Sequence, residues 1–347
     1  MTEKYRVQKW PSEGLETVPN CPVCGGDKRR VLHENLVDKV FFCAPGKWSL
    51  FHCESCASAF LDPRPTPETI GLAYETYFTH DSGGPGNIIE RLKIKLRNGY
   101  LNYRYGTKLY PASNIGIILA TLMKNRREFF DLAIRHLPKL ETSKRLLDLG
   151  CGNGDYLFIA RSAGWDVVGV DADSKAVSVA SEKGIDVRLG NIEILDPSKE
   201  QFDVITLSHV IEHVHQPIKV LQACYKLLKP GGFLWIETPN IQSEGYRIFN
   251  RDWRGLEPPR HLVLFNFKSL TDALIEIGFS GIELQPYRQQ CKHIFKSSKN
   301  IMGSETSTRH QIKAIFSLPS NLVRKSEKIA KRSPSKREFV TLKAWKE

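Results

Sequence analysis

One stretch of the chain combines residue types and spacings suited to binding a small ligand. It runs Leu146-Leu147-Asp148-Leu149-Gly150-Cys151-Gly152-Asn153-Gly154, an apolar run that ends in alternating glycines. Glycines at this spacing allow a tight turn out of a strand and let a ligand lie close to the backbone. Seventeen residues past Gly154, Asp171 closes the run Val-Val-Gly-Val-Asp. A carboxylate at the end of the next strand can accept hydrogen bonds from both hydroxyls of a ribose. The dinucleotide pattern GxGxxG would need glycine at position 155, where the chain has Asp155. The spacing therefore favours a nucleoside without a pyrophosphate.

A second group is cysteine-based. Cys21-Pro-Val-Cys24 and Cys53-Glu-Ser-Cys56 are two CxxC pairs separated by 28 residues. Each CxxC lets one tight turn present two sulfurs to one ion, and tetrahedral zinc takes four thiolates, so Cys21, Cys24, Cys53 and Cys56 are read as ligands of one structural zinc. The other cysteines, at 43, 151, 224 and 291, are scattered.

The elements around these residues divide the chain into three parts. Residues 1–80 hold the CxxC pairs and a proline-rich stretch, LDPRPTPETI, and are expected to form a separable zinc-binding module. Residues 81–140 turn helical after SGGPG and form a helical linker or cap. From 141 to 347 short β-rich runs alternate with helical ones: RLLDLG then DYLFIARSAG, DVVGVDA then SKAVSVASEKG, DVRLGN, FDVITLS then PIKVLQACYKLLKPGG, and FLWIETP. That alternation predicts an α/β fold, a doubly wound, mostly parallel sheet with helices on both faces. If GIELQPYR and EFVTLKAWK are the last two strands, the basic stretch 293–337 is an insertion between them.

Composition bounds the function. With 41% apolar and 25% charged residues in 347, the chain is globular and long enough for a full core. No window approaches the roughly 20 apolar residues of a membrane span, and the first residues lack the apolar stretch of a signal peptide, so a soluble, cytoplasmic protein is expected. The net charge of +12 is local: residues 285–347 carry fifteen Lys/Arg against four Asp/Glu. A second basic segment, 91–127, has nine Lys/Arg, no acid, and Tyr100, Tyr103, Tyr105 and Tyr110 interleaved. The rest is close to neutral, which argues against a general nucleic-acid binder.

Taken together, DLGCGNG, VGVDAD, FDVITLSHVIEHV and LLKPGGFLWIETPN resemble, in order and spacing, the successive motifs of class I S-adenosylmethionine-dependent methyltransferases, over about 144–279. The resemblance implies a Rossmann-like domain that uses S-adenosylmethionine. It implies that Gly150 and Gly152 lie under the methionine moiety and that Asp171 binds the ribose. Asn191 stands where such enzymes often carry an acid near the adenine, and Asp148 either contacts the cofactor or fixes the loop. In SHVIEHV, the residues His209, Glu212 and His213 resemble the Glu-x-x-Glu-His pattern of ubiquinone-pathway O-methyltransferases, with His209 replacing the first acid; at helical spacing the three would share a face and could hold a divalent metal. A second histidine, His261, follows Pro258-Pro259-Arg260, and a loop stiffened by two prolines would present Arg260 and His261 beyond the fifth strand.

Methyl transfer to a hydroxyl or carbon acid calls for a base, and an imidazole with an ordinary pKa near 6.5 suits that task. His261 is the favoured catalytic residue and His209 the second. The expected acceptor is a small molecule, a sugar or a lipid-linked intermediate, neutral or anionic, methylated on oxygen or carbon. Amino-group methylation of bases usually goes with a Pro-Pro-aromatic motif after the fourth strand, where this chain has TLSHVIEH. An RNA methyltransferase using the zinc module and basic segments is the alternative, and a non-catalytic binding protein on the same scaffold is a third reading. The stretch HQIKAIFSLPSNLVRKSEKIAKR within 293–337 mixes apolar positions with a basic face and is expected to touch an anionic membrane surface.

Overall fold

A computed structural model of the chain describes residues 9–74, 88–303 and 318–347. The part of the basic stretch at 304–317 lies outside them. The central sheet has seven strands: β6 (Arg145–Leu149), β7 (Asp166–Asp171), β8 (Asp186–Leu189), β9 (Phe202–Ser208), β10 (Leu228–Pro239), β12 (Ser280–Leu284) and β13 (Phe339–Trp345). Four short strand elements precede it, β1 (Leu15–Glu16), β2 (Arg29–Leu36), β3 (Trp48–Cys53) and β4 (Ala59–Leu61), followed by β5 (Arg64–Pro65); β11 (Val263–Leu264) falls between β10 and β12.

The sheet order is β12-β13-β10-β9-β6-β7-β8. β6 pairs in parallel with both β7 and β9, and β9 with β10, while β13 runs antiparallel to β10 and β12. This is the mostly parallel α/β sheet expected. The parallel strands read as continuous apolar runs because helices cover both faces; Leu146, Leu147, Val168, Ile205, Leu234 and Ile236 are all buried. Strand order reverses between β6 and β9, and the crevice beyond the carboxyl ends of those two strands is where a doubly wound sheet receives a ligand.

Local chemistry sets the helix ends. α4 (Asp155–Ser162) starts from Gly154 in the left-handed region, and Asp173 caps α5 (Ser174–Glu182) by accepting from the Lys175 N–H. Pro217 opens α6 (Pro217–Leu227), which stops where Pro230 approaches. The run LLKPGG, expected to prolong this helix, instead begins β10.

Before the sheet come α1 (Ile88–Tyr105), α2 (Ile115–Leu122) and α3 (Lys124–Leu132). α1 and α2 cross closely at two glycines: a Cβ at Gly99 would lie 1.9 Å from the Ser113 carbonyl oxygen, and one at Gly116 1.8 Å from that of Leu96. Tyr100, Leu101, Tyr105 and Phe130 join a core with Leu146, Leu157 and Trp235 of the main domain. Beyond β10 lie α7 (Glu244–Phe249) and α8 (Phe267–Ile277). Between β12 and β13 come α9 (Cys291–Gly303) and α10 (Ser320–Arg332).

The cysteine-bearing segment is not separable as expected. β2, β3 and β4 form a four-stranded sheet whose fourth strand is β11, with Val263 paired to Phe60 and Leu264 to Ala59. Trp48, Leu50, Phe60 and Leu61 are buried in one cluster with Leu262, Phe265 and Ile236. The module borrows a strand from the main domain and so shares its core.

Candidate functional site

The loop after β6 is built for a ligand. Gly150, Gly152 and Gly154 all have positive φ (69°, 54° and 75°), a region costly for residues with a Cβ. A Cβ at Gly152 would meet nothing within 4 Å, whereas one at Gly150 would run into Val210. Gly152 thus faces open space. Asp171, at the end of β7, anchors this loop: its Oδ2 accepts from Gly152 N–H at 2.8 Å and its Oδ1 from Asp173 N–H at 2.9 Å.

Asp148 lies deeper. Its Oδ1 accepts from the Arg135 guanidinium and, at 2.8 Å, from Thr206 Oγ1, while its Oδ2 is buried with no hydrogen-bond partner among the described residues. Burial pushes its pKa up, and Arg135 and Thr206 pull the other way. Arg135 follows α3 in a left-handed turn (φ 49°) and stacks 3.7 Å over the Tyr156 ring. Asn191 is exposed, and its side-chain oxygen caps the turn at Ile192–Ile194 by accepting from Glu193 N–H at 2.9 Å. The residues present fit an S-adenosylmethionine: an open glycine backbone, a carboxylate at the end of β7 next to it, and a buried carboxylate oxygen of Asp148 without a partner among the described residues.

Across the crevice, His209 follows β9 with φ 57°. Its ring lies between two carboxylates, Nδ1 3.3 Å from Glu212 Oε1 and Nε2 3.3 Å from Glu237 Oε1, and its side chain is 40% exposed. Burial disfavours the charged ring, but hydrogen bonds and charge from Glu212 and Glu237 outweigh it and raise the pKa to about 9. Glu237 is in turn held by Arg288 at 2.6 Å and by Thr341 Oγ1 at 2.6 Å. Burial raises the Glu237 pKa, and Arg288 and His209 more than reverse this, so the carboxylate stays ionised. At neutral pH His209 is an imidazolium, not the free base expected.

The sign of the resulting pH dependence follows. A histidine whose pKa is raised in the folded state stabilises the fold fully below its unfolded value near 6.5 and loses that contribution as pH climbs through about 9. The melting temperature is expected to fall between pH 6.5 and 9.5, with a shallower fall for His209→Asn. Equal slopes for the two proteins would contradict the charged pairing.

His209, Glu212 and His213 do not share a helical face. Residues Ile211–His213 form one 3-10 turn, which sends His213 the other way. The His213 Nδ1–H points to the Arg260 carbonyl and Tyr74 Oη, each at 3.0 Å, and its ring meets that of His261 at 4.7 Å between centroids. Instead the ligand atoms of Glu212, His213 and His261 converge within 4.8 Å of one another, as do those of Glu128, Asp131 and His136.

His261 and Arg260 are also placed differently from expectation. His261 is 5% exposed, its Nδ1 donates to the Gly255 carbonyl at 2.8 Å, and burial lowers its pKa to about 4. It is a neutral residue that ties its loop together and does not face the crevice. Arg260 is fully buried, forked onto Asp38 (2.7 and 3.0 Å), with Nε on Glu257 at 3.0 Å and Nη1 on the Ala73 carbonyl at 3.0 Å. The loop between β10 and α8 is thereby clamped to the N-terminal segment.

The four expected zinc ligands come together. Cys21 Sγ lies 3.7 Å from Cys56 Sγ, Cys24 Sγ lies 3.5 Å from Cys53 Sγ, and all four sulfurs are within 4.8 Å of one another. A tetrahedral ion with bonds of about 2.3 Å needs sulfurs about 3.8 Å apart. Each CxxC is a tight turn, closed by Gly25 N–H to the Cys21 carbonyl and Ala57 N–H to the Cys53 carbonyl, both 2.9 Å. The knuckle is also wired to the main domain, since Asn266 Nδ2 donates to the Cys56 carbonyl at 2.9 Å.

Sequence reasoning missed Arg135, Asp38, Glu237 and Arg288. Glu237 had a readable signal, a carboxylate inside the apolar strand run FLWIETP. Asp38 and Arg288 had none, because their partners lie 222 and 51 residues away, and Arg135 had none although Asp148 is only 13 residues on, because a left-handed turn brings it back.

Residues 122–284 match the family model of a methyltransferase domain. The ubiquinone biosynthesis O-methyltransferase of Pseudomonas entomophila is 36% identical over 112 residues, 30% of this chain and 48% of that protein. The enzyme of the same name from Roseobacter denitrificans is 42% identical over 108 residues, 29% of this chain and 44% of that one. The chain thus spans about half the length of these relatives. Among solved structures, a SAM-dependent methyltransferase from Archaeoglobus fulgidus aligns with a TM-score of 0.44 and 21% identity, covering 66% of this chain and 99% of that one. Residues 122–284 are thus similar to a methyltransferase domain, by the family model and by these relatives alike.

Proposed function

We propose that the chain is an S-adenosylmethionine-dependent methyltransferase that methylates an oxygen of a small-molecule acceptor, in the cytoplasm. The observation that carries this reading is the open Gly152 backbone anchored to Asp171, on a loop that follows the strand holding the unpartnered oxygen of Asp148. When bound, the cofactor supplies a sulfonium methyl as the electrophile. Gly150 and Gly152 would bed its methionine part, Asp171 would take the ribose hydroxyls, and Asn191 would lie on the adenine side. What remains for the protein is alignment of the acceptor and control of its proton.

His209 is the residue we place against the acceptor. As an imidazolium held between Glu212 and Glu237, and with Arg288 on the far side of Glu237, it favours an acceptor oxygen that has lost its proton. Phe339, edge-on to His209 at 4.8 Å, offers an apolar wall beside it. His261, tied to the Gly255 carbonyl and packed on His213, would take a positioning role. The relatives named as ubiquinone biosynthesis O-methyltransferases make a phenolic or lipid-linked acceptor the first class to try. The test is transfer of labelled methyl from S-adenosylmethionine to a panel of catechols, saccharides and RNA. Label on a phenolic or sugar oxygen supports the reading, whereas label on RNA alone would replace it with the nucleic-acid alternative.

The four cysteines are proposed to hold one structural zinc. Purified protein should carry about one zinc per chain. Because the module shares its core with the main domain, Cys21→Ser with Cys53→Ser should lose the metal and lower the melting temperature of the whole chain in a single calorimetric transition. Two separate transitions would contradict the shared core, and elemental analysis below about 0.2 zinc per chain would contradict the metal assignment.

A further inference from the structure

The three helices before the sheet carry an unusual surface. Of the twenty large apolar side chains exposed among the described residues, eleven lie within 88–129. α2 turns the ordinary pattern of a surface helix inside out. It buries Gly116 and Ala120 against its neighbours and exposes Ile115, Ile118 and Leu122, the last at 77%. Those three recur at i, i+3 and i+7, so they form one outward stripe. The first two turns of α1 are exposed as well, with Ile88 at 85% and Leu92 beside Arg91, Lys93 and Lys95. Large apolar stripes left in water mark an interaction face.

The charge around these stripes selects the partner. Residues 91–127 carry nine Lys/Arg and no acid. A second copy of the chain would set two such basic faces against each other. A nucleic acid would pair the charges and leave the Ile and Leu stripe without a partner. An anionic lipid surface satisfies both, with acyl chains for the apolar side chains and headgroups for the bases. We propose that α1–α3 dock the protein on anionic membranes.

The placement differs from that expected at 293–337. In α10, Ser326 and Ala330 are buried and the helix packs on α9 and α7, so its inner side is already committed to the protein. α3, in contrast, leads within three residues to Arg135, whose guanidinium reaches Asp148 at the base of the glycine loop. Docking through α1–α3 would bring the candidate site to a lipid surface. The inference rests on the surface alone and stands or falls independently of methyl transfer.

The test is co-sedimentation of the full chain with vesicles of phosphatidylcholine alone and of phosphatidylcholine with phosphatidylglycerol, at low and high salt. Binding should favour the anionic vesicles by about tenfold or more, since each base near the surface contributes roughly fivefold. Arg91→Glu with Lys93→Glu and Lys95→Glu should remove most of that preference. Ile118→Ser with Leu122→Ser should remove the binding that survives high salt. Both variants change exposed positions, and an unchanged melting temperature verifies their fold. Equal binding to the two vesicle types, or full binding by the charge variant, would overturn the proposal. So would loss of binding in Lys325→Glu with Lys328→Glu and Lys331→Glu alone, which would move the contact to α10. A concentration-dependent dimer dissolved by Leu122→Ser would assign the face to a second copy instead.

Discussion

Replacing Arg260 by alanine is expected to cost about 3–5 kcal/mol of folding stability, the range for removing one partner of a buried ion pair. The Arg260 and Asp38 side chains are both fully buried, and the guanidinium also serves Glu257 and the Ala73 carbonyl. Without it, the buried Asp38 would lose its counter-ion, whereas Glu257 would keep Arg254. Asp38 could not simply turn to solvent, because it also accepts the backbone N–H groups of Val40, Phe41, Cys43 and Ala44. Burial would raise the Asp38 pKa, but hydrogen bonds and charge from Arg260 bring it down to about 2. A depressed carboxylate stabilises the fold above its unfolded value near 3.9 and loses that contribution as pH falls toward 2. Urea unfolding followed by tryptophan fluorescence should therefore show the wild type weakening below pH 4. The Arg260→Ala chain should already be weak at pH 7. A loss under about 1 kcal/mol at pH 7 would mean that water or a neighbouring cation replaces the arginine, and the clamp between the N-terminal segment and the 250–266 loop would lose its energetic basis.

Asp171→Ala is expected to weaken S-adenosylmethionine binding by about a hundredfold, the upper end of what the loss of a ribose contact alone would give. A charge-assisted hydrogen bond to the ribose is worth about 1.5–3 kcal/mol, roughly ten- to a hundredfold. The carboxylate also fixes the loop itself through Gly152 N–H at 2.8 Å and Asp173 N–H at 2.9 Å. Removing it frees the glycine backbone that the methionine part must lie against, so an ordering cost adds to the lost contact. Asp171→Asn keeps an acceptor for one N–H and should fall between wild type and alanine. Affinity within threefold of wild type in the alanine variant would remove both roles.

The strand, glycine turn, helix and acid of the loop after β6 were legible because they are local. Strand, glycine turn, helix and the acid on the next strand fall within the 26 residues 146–171, and the buried runs of a parallel sheet announce themselves as unbroken apolar stretches. The two CxxC pairs were legible for the same reason, since each turn is encoded by four adjacent residues. The acceptor side was not. His209 and His213 stand four apart and read as one helical face, but the chain turns there in a left-handed residue followed by a single 3-10 turn, and the two rings part. His213 instead meets His261, a pairing that depends on β11 joining β4 across more than 200 residues. Arg260 was expected to be presented beyond the fifth strand because its partner, Asp38, lies 222 residues away and gives no sign in the sequence. A two-proline loop signals stiffness without saying which way its side chains point, and here they point inward.

The central claim, that the glycine loop and Asp171 form an S-adenosylmethionine site, is tested most directly by calorimetric titration of the full wild-type chain with S-adenosylmethionine. The account predicts one site per chain with a dissociation constant in the micromolar range, corresponding to about 8 kcal/mol of binding free energy. No measurable binding at millimolar cofactor, or tighter binding of a dinucleotide than of S-adenosylmethionine, would contradict it.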